Sequence, residues 1–154
     1  MSREKRTDPP RQPLDYLLKQ AQHALRTRMD NTLRPLGLTA PQYAVLSAIE
    51  RDPGISNAAL ARAAFVTPRT MQGIVVNLER EGLLKRTAYP AHGRISRGEL
   101  TKRGRDVVAR AHKIVDELDT LMTTSLTQED KSRLANLLSR CTASLVAKEI
   151  EYKP

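Results

Sequence analysis

The chain has 154 residues, 40% of them hydrophobic and 28% charged, the balance of one globular domain and not of a disordered segment. No apolar run reaches the ~18 residues that cross a bilayer, residues 1–13 (MSREKRTDPPRQP) lack the apolar stretch of a secretory signal, and the lone Cys141 excludes an internal disulfide framework or a cysteine-built zinc site. The expectation is a cytoplasmic protein whose net charge of +9 calls for an anionic partner.

After a flexible tail over 1–13, apolar residues at Leu17, Leu18, Ala21, Leu25, Met29 and Leu33 predict a first helix over 14–36. Gly37 follows it as a left-handed C-terminal residue. Thr39 and Gln42 have the spacing of a capping box and open a second helix with Val45, Leu46 and Ile49 inward. Asp52-Pro53-Gly54 stops it. Ser56 caps a short helix over 57–64 with Leu60 buried. Thr67-Pro68, a capping hydroxyl followed by proline at the first helical position, starts another over 68–81 with Met71, Val75 and Leu78 inward and Gly82 at its end. A short helix, a tight turn and a second helix in this order have helix-turn-helix spacing. Residues 83–88 and 94–100, separated by turn residues Pro90 and Gly93, predict a β-hairpin, although Arg97, Gly98 and Glu99 are poor strand formers. Thr101 caps a long helix with Val107, Val108, Ala111, Ile114, Val115, Leu118 and Leu121 on one face. Thr127 and Asp130 open a last helix striped by Leu134, Leu137, Leu138, Cys141, Leu145 and Val146.

Catalysis lacks a constellation. His23, His92 and His112 fall on three different elements, none at metal-ligand spacing from a Cys or carboxylate. No glycine-rich phosphate loop or nucleophile elbow is present. The expectation is therefore a non-enzyme with no cofactor and no metal. Cys141, on an apolar stripe without a resolving cysteine, reads as a small core hydrophobe and not as a redox sensor.

The basic charge is concentrated where the helix-turn-helix lies. Residues 60–105 hold ten basic and three acidic residues, whereas residues 106–154 carry −1. Spacing alone fits an ordinary amphipathic helix pair equally well; the charge excess tips the reading to duplex DNA. A recognition helix presents its N-terminal residues to base edges in the major groove. Here Arg69, Thr70, Gln72 and Gly73 occupy the outer face of the first turns, with Arg suited to guanine and Gln to adenine. Gly73 removes a side chain where the backbone of DNA could approach. Thr67, Pro68 and the helix N-terminus suit a phosphate. Only five aromatic residues occur in the chain, too few for the stacking platforms of single-strand binders. Arg94, beside Gly93 at the hairpin tip, is placed to enter a narrow minor groove.

The ordered set Leu38-Thr39-x-x-Gln42-x-x-x-Leu46, Leu60-Ala61 to Val66-Thr67, Leu78-Glu79-x-x-Gly82-Leu83-Leu84-x-Arg86, Gly93-Arg94 and Leu100-Thr101-x-x-Gly104 resembles the MarR (multiple antibiotic resistance regulator) family over about residues 14–148. The resemblance implies a mainly α winged helix-turn-helix over about 39–101, with dimerisation helices over about 14–36 and 102–148, in a single domain spanning 14–150. It implies a homodimeric regulator, a repressor that binds a pseudo-palindromic operator and releases it on binding a small aromatic or phenolic effector. Helix 68–81 becomes the recognition helix and Arg94 the wing arginine; Ser56, Arg86 and His92 complete the DNA-contacting set. The expected effector cleft lies between the first, second and fifth helices, with His23, Tyr43 and His112 as candidate polar lining, although core packing is the favoured role for each.

This sequence departs from the family pattern at two places. His92 stands where an Asp usually orients the wing arginine, and Phe65 stands at the turn position usually held by Gly. The cysteine of the peroxide-sensing branch and the tryptophan of the urate-responsive branch are both missing. Independently of the resemblance, apolar stripes on helices at both chain ends exceed what a small central module can bury, which points to a two-fold dimer. The rival readings are a helical protein–protein adaptor and a DNA architectural protein without base readout.

Overall fold

A computed structural model of the chain describes residues 12–88 and 96–147. It consists of two compact units, the first running to Leu118 and the second from Asp119. Helix α1 spans Leu14–Leu33 and ends one turn before the periodicity suggests. Residues Arg34–Leu36 form a 3₁₀ turn instead, because Pro35 has no N–H for the Asn31 carbonyl and its ring crowds the preceding turn. Gly37 then takes the left-handed conformation (φ +71°), and its N–H bonds the Arg34 carbonyl at 2.9 Å.

Helix α2 (Ala40–Arg51) opens with the expected capping box: Thr39 Oγ1 accepts from Gln42 N–H, and Gln42 Oε1 accepts from Thr39 N–H at 2.8 Å. A second acceptor comes from α1, where Asp30 Oδ1 takes the Ala40 N–H at 2.7 Å. Helix α3 (Asn57–Ala63) stops one residue short of the predicted end, with Ala64 as its C-cap. Helix α4 (Pro68–Arg80) is capped by Thr67 and buries the predicted Met71, Val75 and Leu78. These three meet Leu33, Val45, Leu46, Ile49 and Leu60 in one core, where each fully buried large aliphatic side chain contributes roughly 1.5–3 kcal/mol over exposure.

Strands β1 (Leu84–Ala88) and β2 (Ser96–Leu100) pair antiparallel, with Leu84 opposite Leu100 and Arg86 opposite Gly98. The weak strand chemistry of Gly98 is offset by position. A side chain there would meet Leu84 Cδ1 at 3.4 Å and Ile49 Cδ1 at 3.6 Å, so its absence lets the hairpin settle on α2. Helix α5 (Lys102–Met122) adds Val108 and Ala111 to the core. Its first turn is fixed by Thr101, whose N–H bonds the Leu83 carbonyl at 3.1 Å and whose hydroxyl donates to the Gly82 carbonyl at 2.7 Å and accepts from Gly104 N–H at 3.0 Å.

The second unit carries helix α6 (Gln128–Ala147), opened by Thr127 and Asp130 in reciprocal hydrogen bonds. The α6 stripe corrects the sequence reading. No residue of α6 is buried, Leu134, Leu137 and Leu138 are 39–45% exposed, and Cys141 is half-buried instead of lying in a core. The pattern is amphipathic, but the chain alone does not cover it. None of the described helices is long and apolar enough to cross a membrane.

Candidate nucleic-acid interface

Helix α4 has two chemically opposite faces. With Met71, Val75 and Leu78 turned into the core, Pro68, Arg69, Thr70, Gln72 and Gly73 are all exposed. Ser56, the cap of α3, is exposed as well. A methyl at Gly73 would meet nothing within 4 Å. Gly in an exposed helix interior costs about 1 kcal/mol relative to Ala, and no contact among the described residues offsets that cost.

The Thr67 hydroxyl caps its own helix. It accepts from Thr70 N–H at 3.2 Å and donates its own proton to Thr70 Oγ1 at 2.9 Å. Such a cap contributes about 1 kcal/mol. Pro68 has no N–H and Thr70 N–H is taken, so Arg69 N–H is the helix-terminal donor left for an anion. Arg86 is exposed on β1, and its Nε pairs with Glu79 of α4 at 3.0 Å. It braces β1 against the recognition helix, while Lys85 pairs with Glu99 across the hairpin at 3.4 Å. His92 and Arg94 lie outside the described residues.

The expected effector residues divide. Tyr43 and His112 meet, the tyrosine hydroxyl 2.9 Å from Nδ1 with the rings edge to face, and His112 Nε2 reaches Glu50 at 2.7 Å. The tautomer protonated on Nε2 satisfies both bonds, donating to Glu50 and accepting from Tyr43. Burial raises the Tyr43 phenol above its ordinary pKa, so it remains a donor. His23 is exposed on α1 and joins neither.

Tyr43 also lines a half-open cavity of about 530 Å³, with Leu25, Arg26 and Met29 of α1, Ala44 of α2 and Phe65 of the α3–α4 turn. Among the described residues, the third wall of this cavity is the helix-turn-helix turn and not α5, a placement that residue spacing did not show. At its rim, Arg26 Nε pairs with Asp30 at 3.0 Å. Burial works to raise the Asp30 carboxyl, but the Ala40 N–H and the Arg26 guanidinium outweigh it and hold it below the usual carboxylate value.

Phe65 is the conformational exception. Its φ is +53°, the one positive value outside glycine among the described residues. The left-handed conformation costs a non-glycine residue roughly 1–2 kcal/mol. Its ring is nevertheless 95% exposed. The backbone around it is held: Phe65 N–H bonds the Arg62 carbonyl at 3.2 Å and Val66 N–H bonds the Ala61 carbonyl at 3.0 Å.

Comparison with known proteins agrees with this geometry. Residues 36–95 match the model of the MarR family. The HTH-type transcriptional repressor Rv2887 of Mycobacterium tuberculosis is 36% identical over 128 residues, covering 83% of this chain and 92% of that protein. The crystal structure of Rv2887 with salicylic acid superposes with a TM-score of 0.69 at 35% identity, over 88% of this chain and 98% of that one. The structure of Rv2887 with DNA gives 0.67 at 33% identity, over 84% and 97%. With an exposed polar face on a capped second helix, a strand pair behind it and this likeness across most of its length, the chain belongs to the MarR family of winged helix-turn-helix transcriptional regulators.

Proposed function

We propose that the chain is a ligand-responsive repressor that binds a pseudo-palindromic DNA operator as a homodimer in the cytoplasm, and that it binds and releases partners without transforming them. The observation that carries this reading is the outer face of α4. Arg69, Thr70 and Gln72 are exposed there around a glycine that no neighbour among the described residues requires. Arg69 and Gln72 have the donor geometry for guanine and adenine edges, and Gly73 admits the sugar-phosphate backbone. Arg94 and His92, between the two strands in sequence, supply the minor-groove contact. The DNA and salicylic acid complexes of Rv2887 support both partners, and the cavity between α1, α2 and the α3–α4 turn is the assigned effector site.

Selection of bound duplexes from random DNA tests the reading. The expected product is a near-palindrome with half-sites about 10 bp apart, the spacing of two recognition helices on one DNA face. Arg69→Ala and Gln72→Ala should each relax preference at particular positions by about 1–3 kcal/mol. Gly73→Ala should raise the melting temperature yet weaken operator binding. Equal affinity for all duplexes at fixed salt would replace this reading with an architectural one, and absence of duplex binding would leave a protein–protein adaptor.

A further inference from the structure

The outer face of α4 holds one side chain whose chemistry differs from that of its neighbours. Arg69, Gln72, Gly73, Val76 and Arg80 are all exposed and share one side of the helix, opposite Met71, Val75 and Leu78. Val76 is the large apolar member of this stripe and is 55% exposed. Single exposed apolar side chains are common on protein surfaces, but this one lies in the middle of the face assigned above to DNA. A helix lying in a major groove turns residues at i, i+3, i+4 and i+7 toward the bases, and Arg69, Gln72, Gly73 and Val76 have that spacing. Helical side chains lean toward the N-terminus, so the Val76 methyls lean over the turn that carries Gly73 and Gln72. A Cβ at Gly73 would meet nothing within 4 Å, so the space beside those methyls is open. On the C-terminal side, Arg80 donates to Asn77, and Asn77 donates to Glu81 at 3.1 Å.

We propose that Val76 is a specificity-determining residue that reads the 5-methyl group of a thymine in each half-site. The proposal rests on the DNA-binding reading above and assigns one of its base contacts. In the major groove every base pair presents hydrogen-bonding groups, and the thymine methyl is the apolar group among them. Against it, the Val76 γ-methyls exclude water from apolar surface on both sides. Against cytosine or a purine, the same methyls would cover an amino or carbonyl group without a hydrogen bond to offer it. Val76 stands four residues beyond Gln72, ~6 Å along the helix axis, less than two base-pair steps of ~3.4 Å each. For a helix lying along the groove, the thymine therefore falls within two base pairs of the adenine that Gln72 takes.

Replacing single thymidines of the selected operator by deoxyuridine removes the methyl and keeps the pairing. Kd of the intact protein is then measured by fluorescence anisotropy at fixed salt. For wild type, deoxyuridine at one position of a half-site should weaken binding by about fourfold for each half-site altered, the effect of uncovering one methyl-sized group. Val76→Ala should lose a similar factor on the thymine operator and no more on the deoxyuridine operator. Alanine is the better helix former, so the melting temperature of this variant should not fall. Renewed selection with Val76→Ala should lose the thymine preference at that position and keep the adenine preference that depends on Gln72. An operator indifferent to every deoxyuridine overturns the proposal, as does a Val76→Ala protein that retains the full deoxyuridine effect. Equal weakening of all duplexes by Val76→Ala, or its shift toward monomer in sedimentation, overturns it too, assigning the valine to helix placement or to a subunit contact. If an operator is selected but carries no methyl-sensitive thymine, this inference fails and the regulator reading stands. If no operator is selected, the regulator reading fails and takes this inference with it.

Discussion

Asp30 joins two helices with one carboxylate: Oδ1 accepts the first N–H of α2 and Oδ2 holds Arg26. Both partners favour the ionised form and hold the carboxyl below its ordinary pKa in the fold. The sign of the linkage follows. A depressed carboxylate contributes its stability above the unfolded pKa and loses it as pH falls through the lower folded value. Asp30→Asn keeps an acceptor for Ala40 but loses the charge. With its side chain 36% exposed, solvent screening limits the cost to about 1 kcal/mol. In urea unfolding, the gap between wild type and Asp30→Asn should be constant from pH 7 to about pH 5 and close below about pH 4. A gap that persists unchanged at pH 3 would locate the effect in packing and not in the charge.

At the scale of the element, α5 shows local propensity yielding to tertiary contact. Gly104 stands in the first turn of this helix, where Ala would be better by about 1 kcal/mol on propensity alone. A Cβ at Gly104, however, would lie 2.0 Å from the Leu83 carbonyl oxygen. That oxygen belongs to backbone, so no rotamer change relieves the clash, and it already accepts from Thr101 N–H. Gly104→Ala is expected to destabilise by about 2–3 kcal/mol, the upper part of the usual overpacking range. It should lower the melting temperature, in contrast to Gly73→Ala, which meets no neighbour. A neutral or stabilising Gly104→Ala would mean that α5 approaches Leu83 less closely than the structure has it. The Arg86–Glu79 pair works at the same scale: it joins β1 to α4, so the hairpin and the recognition helix present one surface.

For the whole molecule, the telling feature is apolar surface without a cover. Leu17 and Leu18 on α1, and Leu134, Leu137 and Leu138 on α6, are each 39–45% exposed. Helices with one apolar stripe bury it against something, and a second copy of the chain is the economical partner for stripes at both chain ends. Leu137→Asp with Leu138→Asp should shift the protein from dimer to monomer in sedimentation at micromolar concentration. Each lost leucine contact withdraws roughly 1.5–3 kcal/mol. Operator affinity should fall with it, because two linked reading helices become independent. A double variant that remains dimeric would exclude α6 from the interface.

The features legible in the sequence are those whose partners lie within one helical turn. Thr39 with Gln42, Ser56 with Ala59 N–H, Thr67 with Thr70 and Thr127 with Asp130 are all three residues apart. Such bonds follow from backbone geometry whatever surrounds them. The inward face of α4 was legible for the same reason: once Met71, Val75 and Leu78 are recognised as a stripe, Arg69, Gln72 and Gly73 must point outward. Pro35 was visible too, but periodicity carried the first helix past it, because an apolar pattern does not distinguish an α turn from a 3₁₀ one. Tertiary structure alone decided the rest. Tyr43 and His112 are 69 residues apart, Arg86 pairs with Glu79 of another element, and Gly104 meets a carbonyl 21 positions earlier. Those contacts depend on how the helices cross and how closely they approach, which residue types and spacing leave open. Phe65 joins the two levels. Its departure from glycine is plain in the sequence, but only the packed turn shows a strained, exposed ring on the wall of a cavity that α1 and α2 complete.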